Sequence, residues 1–404
     1  MIPAAEAWQR LLPHLAPLDP ERLARREALG RVLAEPLGAT TDLPGTDVSA
    51  MDGYAVAAPL VAGDRRPVAG VVAAGEAPGR ELPPGAALRI MTGAPLPAGA
   101  DRVVPFELTA EEGGQVVFRH PLDAGSHVRR AGEVSRRGDA LLPAGTRLGP
   151  EALALAAAQG HAELRVHAAP RVMVLTTGDE VVPPEREPAP GQLRDSHTDF
   201  LLAAGRRLGL AFTSLGIAPD RREALADRVA AGLAAADVLV LGGGVSAGDF
   251  DLVEEVLAAH GCRPLFAAVA IQPGKPLVAA VRPAGPAAAR ALVFGLPGNP
   301  AAVFVTFRLF VHPALLRLLG DPAEPLGGVV PGRLTAPAPG ARDRERFLPA
   351  RVENEGGALR VTPLTVQGSH DLAAYARATA LLRVPAHAAP AAAGAACQVL
   401  PLAP

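Results

Sequence analysis

The chain has 404 residues, 49% hydrophobic and 3% aromatic, so its length argues for several domains and its cores must be packed mainly by aliphatic side chains. The net charge of −2 gives no case for a nucleic-acid surface, and any anion site has to be local. Cys262 and Cys397 lack metal-binding spacing and frame no disulfide scaffold, and the N-terminus has no basic stretch followed by an apolar run, so a cytoplasmic protein without a membrane span or nucleic-acid partner is expected.

Residues 4–33 read as helical, with Leu11, Leu12, Leu15, Leu18, Leu23, Leu29 and Val32 partly at helical spacing. From 41 to about 122, Pro and Gly break the chain into short apolar runs such as 68–74 and 102–106, which predicts a β-rich lobe. Within it, Asp52-Gly53 between apolar flanks is a hairpin signal. The segment from Met91 to Pro97 is rich in turns, and the Thr92 hydroxyl there either binds an oxyanion or closes a local turn. Residues 125–166 turn repeatedly and include an Ala-rich helix over 150–160, before the chain returns to its first region. Arg129, Arg130, Arg136 and Arg137 read as a solvated basic face.

From 171 to 320 the texture changes. Apolar strands at 172–176, 212–217, 238–241 and 292–296 alternate with helices at 198–208, 222–235, 250–260 and 301–319. That pattern predicts a parallel sheet covered on both faces, with its site at the carboxyl ends of the strands. The strand-end loops carry candidate chemistry. One holds Thr177, Gly178, Asp179 and Glu180; another runs from Gly242 through Gly243, Gly244, Ser246 and Asp249 to Asp251. Consecutive glycines let backbone N–H groups approach an anion at a helix N-terminus. Acids in the same loops fit that anion if Mg²⁺ lies between them. Helix capping by Ser246 or Asp249, dipole stabilisation by Asp251 and a solvated Glu180 are the plainer readings.

Of the 39 Lys and Arg residues only Lys275 is a lysine. It sits in Pro273-Gly274-Lys275-Pro276, and a second such turn follows, Pro297-Gly298-Asn299-Pro300. Pro then Gly predicts a type II turn, and the residue before the next Pro is pushed to extended backbone. A compact ammonium in a stiff turn suits a phosphate or another oxyanion, and the alternative is chance survival in an Arg-biased composition. Asn299 before Pro300 reads as a helix N-cap, which leaves ligand contact open. From 321 onward short strands return, and Asn354-Glu355-Gly356-Gly357 is a hairpin signal in a small C-terminal β domain.

Six motifs in order resemble the MoeA family of molybdopterin molybdotransferases, relatives of the gephyrin E domain: 49–56, 91–97, 177–180, 243–251, 273–276 and 296–300, with Gln367-Gly368-Ser369-His370 further on. The resemblance implies a multidomain α/β plus β fold. Its parts are a three-layer α/β/α, MogA-like domain over 169–322, a β-rich lobe over 44–124, an elongated linker domain from 1–43 and 125–168, and a C-terminal β domain over 323–404. It implies a homodimer with a shared site, insertion of molybdate into adenylylated molybdopterin with release of AMP, and dependence on Mg²⁺. Transient contact with a molybdopterin adenylyltransferase and with chaperones of molybdenum enzymes belongs to the same expectation. By motif position Asp52, Glu180, Asp251 and Lys275 are the expected catalytic residues, with Glu180 and Asp251 on the metal. Thr92, Asp220, Gly243, Gly244, Ser246, Pro273, Gly274, Asn299 and Ser369 are the expected substrate-binding residues. Val134, His197, Gln272 and Pro349 depart from relatives that carry Asp, Asn, Lys and Arg there. A molybdopterin-binding scaffold and a molybdopterin adenylyltransferase are the competing readings; the first would want long partner-binding linkers and the second is usually a single domain.

Overall fold

A computed structural model describes residues 1–244, 252–285, 290–323, 326 and 328–402. The chain divides into two compact units, one of residues 1–34, 145–149 and 163–404, the other of residues 35–144 and 150–162.

The first unit is built on a six-stranded sheet. Phe212–Ala218, Val172–Thr177, Val238–Gly242 and Ala291–Leu296 lie side by side and pair in parallel. Val238–Gly242 and Ala291–Leu296 are buried along their whole length, which is why they read as unbroken apolar runs. Alternate residues serve two cores. Val172, Val174, Val240 and Phe294 face a core completed by Leu201, Val303, Phe307 and Phe310. Leu175, Leu239, Leu241 and Val293 face the helices Arg222–Ala235 and Leu252–Ala259 through Leu225, Val229, Val253 and Val256.

The expected all-parallel sheet is corrected at one edge. Val278–Arg282 pairs antiparallel with Ala291–Leu296, and Arg263–Phe266 antiparallel with Val278–Arg282. Neighbouring antiparallel strands need no helical crossover, so the helix-strand alternation that signals parallel pairing stops here.

The expected helix over 4–33 is also shorter than its leucine spacing suggests. Ala4–Leu11 is α-helical and Leu12–His14 a single tighter turn, after which Pro17 and Pro20 turn the chain into the strand Pro20–Ala24. That strand pairs with Glu163–His167, the expected return of the chain. Trp8 anchors the helix: it stacks on Phe310 with centroids 5.9 Å apart and donates its indole N–H to Leu309 O at 3.2 Å.

The C-terminal strands close on themselves. Glu345–Glu355, Ala358–Pro363, Val330–Leu334, Ala396–Pro401 and Ala380–Val384 follow one another, and the last pairs back onto the first, forming a small barrel. The predicted hairpin turns at Gly356-Gly357, both at positive φ, with Glu355 opposite Ala358. The two-residue strand Ile271–Gln272 leaves the α/β part and pairs in parallel with Glu345 and Arg346 of the barrel. Among the described residues one helical run, 300–318, is long and apolar enough to cross a membrane, and it is mostly buried in the core.

The second unit holds another six-stranded sheet, in the order Arg102–Pro105, Gly53–Val56, Ala87–Ile90, Arg65–Val72, Gln115–Phe118, Thr109–Glu112. The hairpin expected at Asp52-Gly53 does not form. Val48–Ser49 pairs instead with Val128–Arg129, and Gly53 opens a strand lying between two others. Its role is close approach: a Cβ there would stand 2.1 Å from Val104 O.

Candidate functional site

Strand-end loops of the α/β part and the barrel together line a cavity of about 660 Å³ in the first unit. Glu180, Leu193, Lys275, Asn299, Arg344, Arg346, Ser369 and Tyr375 face it, with Gln272, Pro273 and Gly274.

The Lys275 loop is fixed through its backbone. Lys275 O accepts from the N–H groups of Val269 and Leu277, both at 3.0 Å. Gly274 has φ +114°, and a Cβ there would be 2.6 Å from the Thr306 methyl group, so glycine lets the loop lie against the core helix. The Lys275 side chain is exposed, and among the described residues no carboxylate is within ion-pair distance of it. The second Pro-Gly turn differs from expectation, because Gly298 is not at positive φ and so makes no type II turn. Asn299 occupies the N-cap position of the helix Pro300–Thr306, as predicted, yet its side chain makes no capping hydrogen bond. Its amide thus lies uncommitted by capping beside the cavity. Ser369 is tied to the same helix by Ala301 N–H, which donates to Ser369 O at 3.2 Å.

On the acidic side, Leu193 N–H donates to Glu180 O at 2.8 Å, holding the Glu180 loop to the short strand Leu193–Arg194. Asp220 N–H donates to Asp179 Oδ1 at 3.1 Å. Partial burial, then the charges of Asp179 and Glu180, push the Asp220 carboxyl above its ordinary range. Among the described residues no three His, Cys, Asp or Glu side chains converge into a ready metal site. Ser246, Asp249 and Asp251 lie outside the described residues. Gly243 and Gly244 are described, and their immediate need for glycine is packing. A Cβ would stand 2.7 Å from Thr177 O at the first and 2.4 Å from Thr177 Oγ1 at the second. That buried hydroxyl has no hydrogen-bond partner among the described residues.

Asp52 and Thr92 belong to the second unit, where they bond to each other. Thr92 donates its N–H and its hydroxyl to Asp52 Oδ1, at 2.6 and 2.8 Å. The Thr92 donors hold the exposed Asp52 carboxyl below its usual range. Thr92 therefore orients Asp52 rather than closing a local turn.

His197 is a positioning residue to which sequence reasoning gave no role. It is buried, and a Cβ added at Gly242 would stand 3.3 Å from its Cβ and from its Nδ1. It thus packs against the end of the strand Val238–Gly242, which leads into one of the candidate loops. Burial lowers its pKa although the Asp195 charge, and then the carbonyls of Gly242 and Gly298, favour the charged ring. Asp195 fixes the residue by accepting from His197 N–H at 2.9 Å and from the Thr198 hydroxyl at 2.6 Å. An Asp two residues before an apolar helix was the available signal. Arg344 and Arg346 were missed altogether; they reach the cavity only through the pairing of distant strands.

Three family descriptions match in order: the MoeA N-terminal region (domain I and II) over residues 2–160, a probable molybdopterin binding domain over 173–317, and the MoeA C-terminal region (domain IV) over 331–402. A molybdopterin molybdenumtransferase of Nostoc sp. is 40% identical over 299 residues, covering 72% of this chain and 68% of that protein. Molybdopterin molybdenumtransferase 2 of Mycobacterium tuberculosis is 37% identical over 391 residues, covering 92% and 93%. A solved molybdopterin biosynthesis MoeA protein from Pyrococcus horikoshii superposes with a TM-score of 0.81 at 30% identity, covering 99% of both chains. The chain belongs to the MoeA family of molybdopterin molybdenumtransferases.

Proposed function

We infer that this protein is a molybdopterin molybdenumtransferase of molybdenum cofactor biosynthesis, which inserts molybdate into adenylylated molybdopterin and releases AMP. The observation that carries the reading is Lys275: an ammonium without a carboxylate partner among the described residues, held by its backbone at the cavity. A fixed cation stabilises charge on a bound oxyanion without reorganising during reaction. Asn299 and Ser369 offer neutral donors beside it. Glu180, with Asp251, would hold Mg²⁺, and the negative charges of Asp179 and Glu180 that raise the Asp220 carboxyl support a cation nearby. When bound, such an ion neutralises phosphate charge as AMP departs. Thr177, Gly243 and Gly244 shape the loop in which Ser246 and the glycine N–H groups would meet phosphate.

The same reading includes the four-domain division set out above and a homodimer in which Asp52 and Thr92 of one subunit serve the site of the other. The decisive assay is AMP release from adenylylated molybdopterin with and without molybdate. Molybdate-dependent release that Lys275→Met abolishes is expected; release unaffected by molybdate would overturn the reading. For the dimer, mixing Asp52→Ala with Lys275→Met subunits should restore part of the activity, and verified heterodimers as inactive as their parents would exclude a shared site.

A further inference from the structure

Arg346 lies directly across the parallel strand pair from Gln272, and both face the cavity that holds Lys275. Its Nη1 donates to Gly340 O at 2.9 Å, while its buried Nε has no partner and no carboxylate is within ion-pair distance, among the described residues. The neighbouring carboxylate Glu345 is already committed to Arg383. Arg344, just before that strand, has among the described residues only Asp343 as an ion-pair partner, at 3.9 Å. A cavity that gathers three cations against one lining carboxylate, Glu180, and leaves two of the cations without an ion-pair partner among the described residues is well suited to an anion of more than one charge.

We propose that Arg346 is a second oxyanion anchor of this cavity: it grips a tetrahedral dianion together with Lys275, and so supplies from the barrel strand the positive charge that Gln272 does not supply from the opposite strand. The tether to Gly340 fixes the plane of the guanidinium and leaves Nη2 uncommitted, and a guanidinium so held can donate a charge-assisted hydrogen bond to an oxygen of a dianion. The proposal rests on the reading of the cavity as a molybdate site. It goes further by assigning a residue and by making the charge transferable between two strand positions.

The test is titration of the full-length protein with molybdate by calorimetry, repeated with sulfate, for wild type, Lys275→Met, Arg346→Gln and two double variants, Gln272→Lys/Arg346→Gln and Gln272→Met/Arg346→Gln. Arg346→Gln should weaken molybdate binding by about ten- to a hundredfold, the range for one charge-assisted bond. Gln272→Lys/Arg346→Gln should then bind at least about tenfold more tightly than Gln272→Met/Arg346→Gln. These two share any loss of packing at 346 and differ only in charge at 272, so they decide the matter even if Arg346→Gln folds poorly. Equal affinities for the two double variants would make Arg346 a structural tether and overturn the proposal. If Arg346→Gln binds like wild type while Lys275→Met does not, the proposal fails and the cavity reading stands. If Lys275→Met also binds like wild type, or wild type prefers sulfate, the molybdate reading fails and the proposal with it.

Discussion

The side chain of Lys275 is free to act because its main chain carries the structural duty. Its carbonyl is bonded twice and its neighbour Gly274 packs on Thr306, so the ammonium has no role in folding. Lys275→Arg should keep the charge and still be impaired in molybdate-dependent AMP release, since a planar fork needs different geometry. Lys275→Met should lose roughly 1.5–3 kcal/mol of oxyanion binding. Neither should move the melting temperature by more than a few degrees; equal activity of the arginine variant would make the lone lysine an accident of composition. Gly274→Ala is the opposite case. Its new methyl meets Thr306 at positive φ, so a loss of about 1–3 kcal/mol of stability is expected in denaturant unfolding. Sequence made Lys275 legible because rarity and flanking prolines are local signals. Arg346 was hidden because its place at the cavity comes from a partner strand some seventy residues away, and His197 because a buried imidazole packed on a strand-end glycine leaves no pattern in the chain.

At the level of elements, long apolar runs were read well and their pairing less so. Continuous burial on both faces explains why Val238–Gly242 and Ala291–Leu296 stood out. Whether a neighbour runs parallel or antiparallel is a property of the connection, and Val278–Arg282 was not recognised as a strand at all. The first helix was overextended because leucines that serve a strand and its turns fall by chance near helical spacing. The core helix 300–318 hides a different irregularity, a π-turn at Phe307–Val311 leading into His312. Burial first, then the charges of Arg308, Arg147 and Arg207, lower the His312 pKa to about 4. The folded protein therefore resists a proton that the unfolded chain accepts near pH 6.5. Stability from the neutral ring is complete above that pH and is lost as pH falls towards 4. Thermal melts at pH 7 and pH 5 should show a smaller drop for His312→Gln than for wild type; identical drops would remove His312 from the acid sensitivity of the fold.

For the whole molecule, the barrel matters because it is closed by chain segments far apart in sequence. Ala396–Pro401 lies between Val330–Leu334 and Ala380–Val384, and the latter holds the strand that carries Arg346. Deleting 396–402 should expose two strand edges, cost activity and produce concentration-dependent aggregation measurable by light scattering. A deletion variant that stays monodisperse and active would show that closure is dispensable.

The stitch between Ile271–Gln272 and Glu345–Arg346 also has a temporal meaning. On the ribosome the lysine loop emerges well before the strand that must lie beside it, and that strand in turn waits for the segment that seals the barrel. During synthesis the α/β sheet can form while its anion cavity has only one wall. On the reading proposed above, oxyanion binding is thus withheld from nascent chains and arrives with the folding of the final strands.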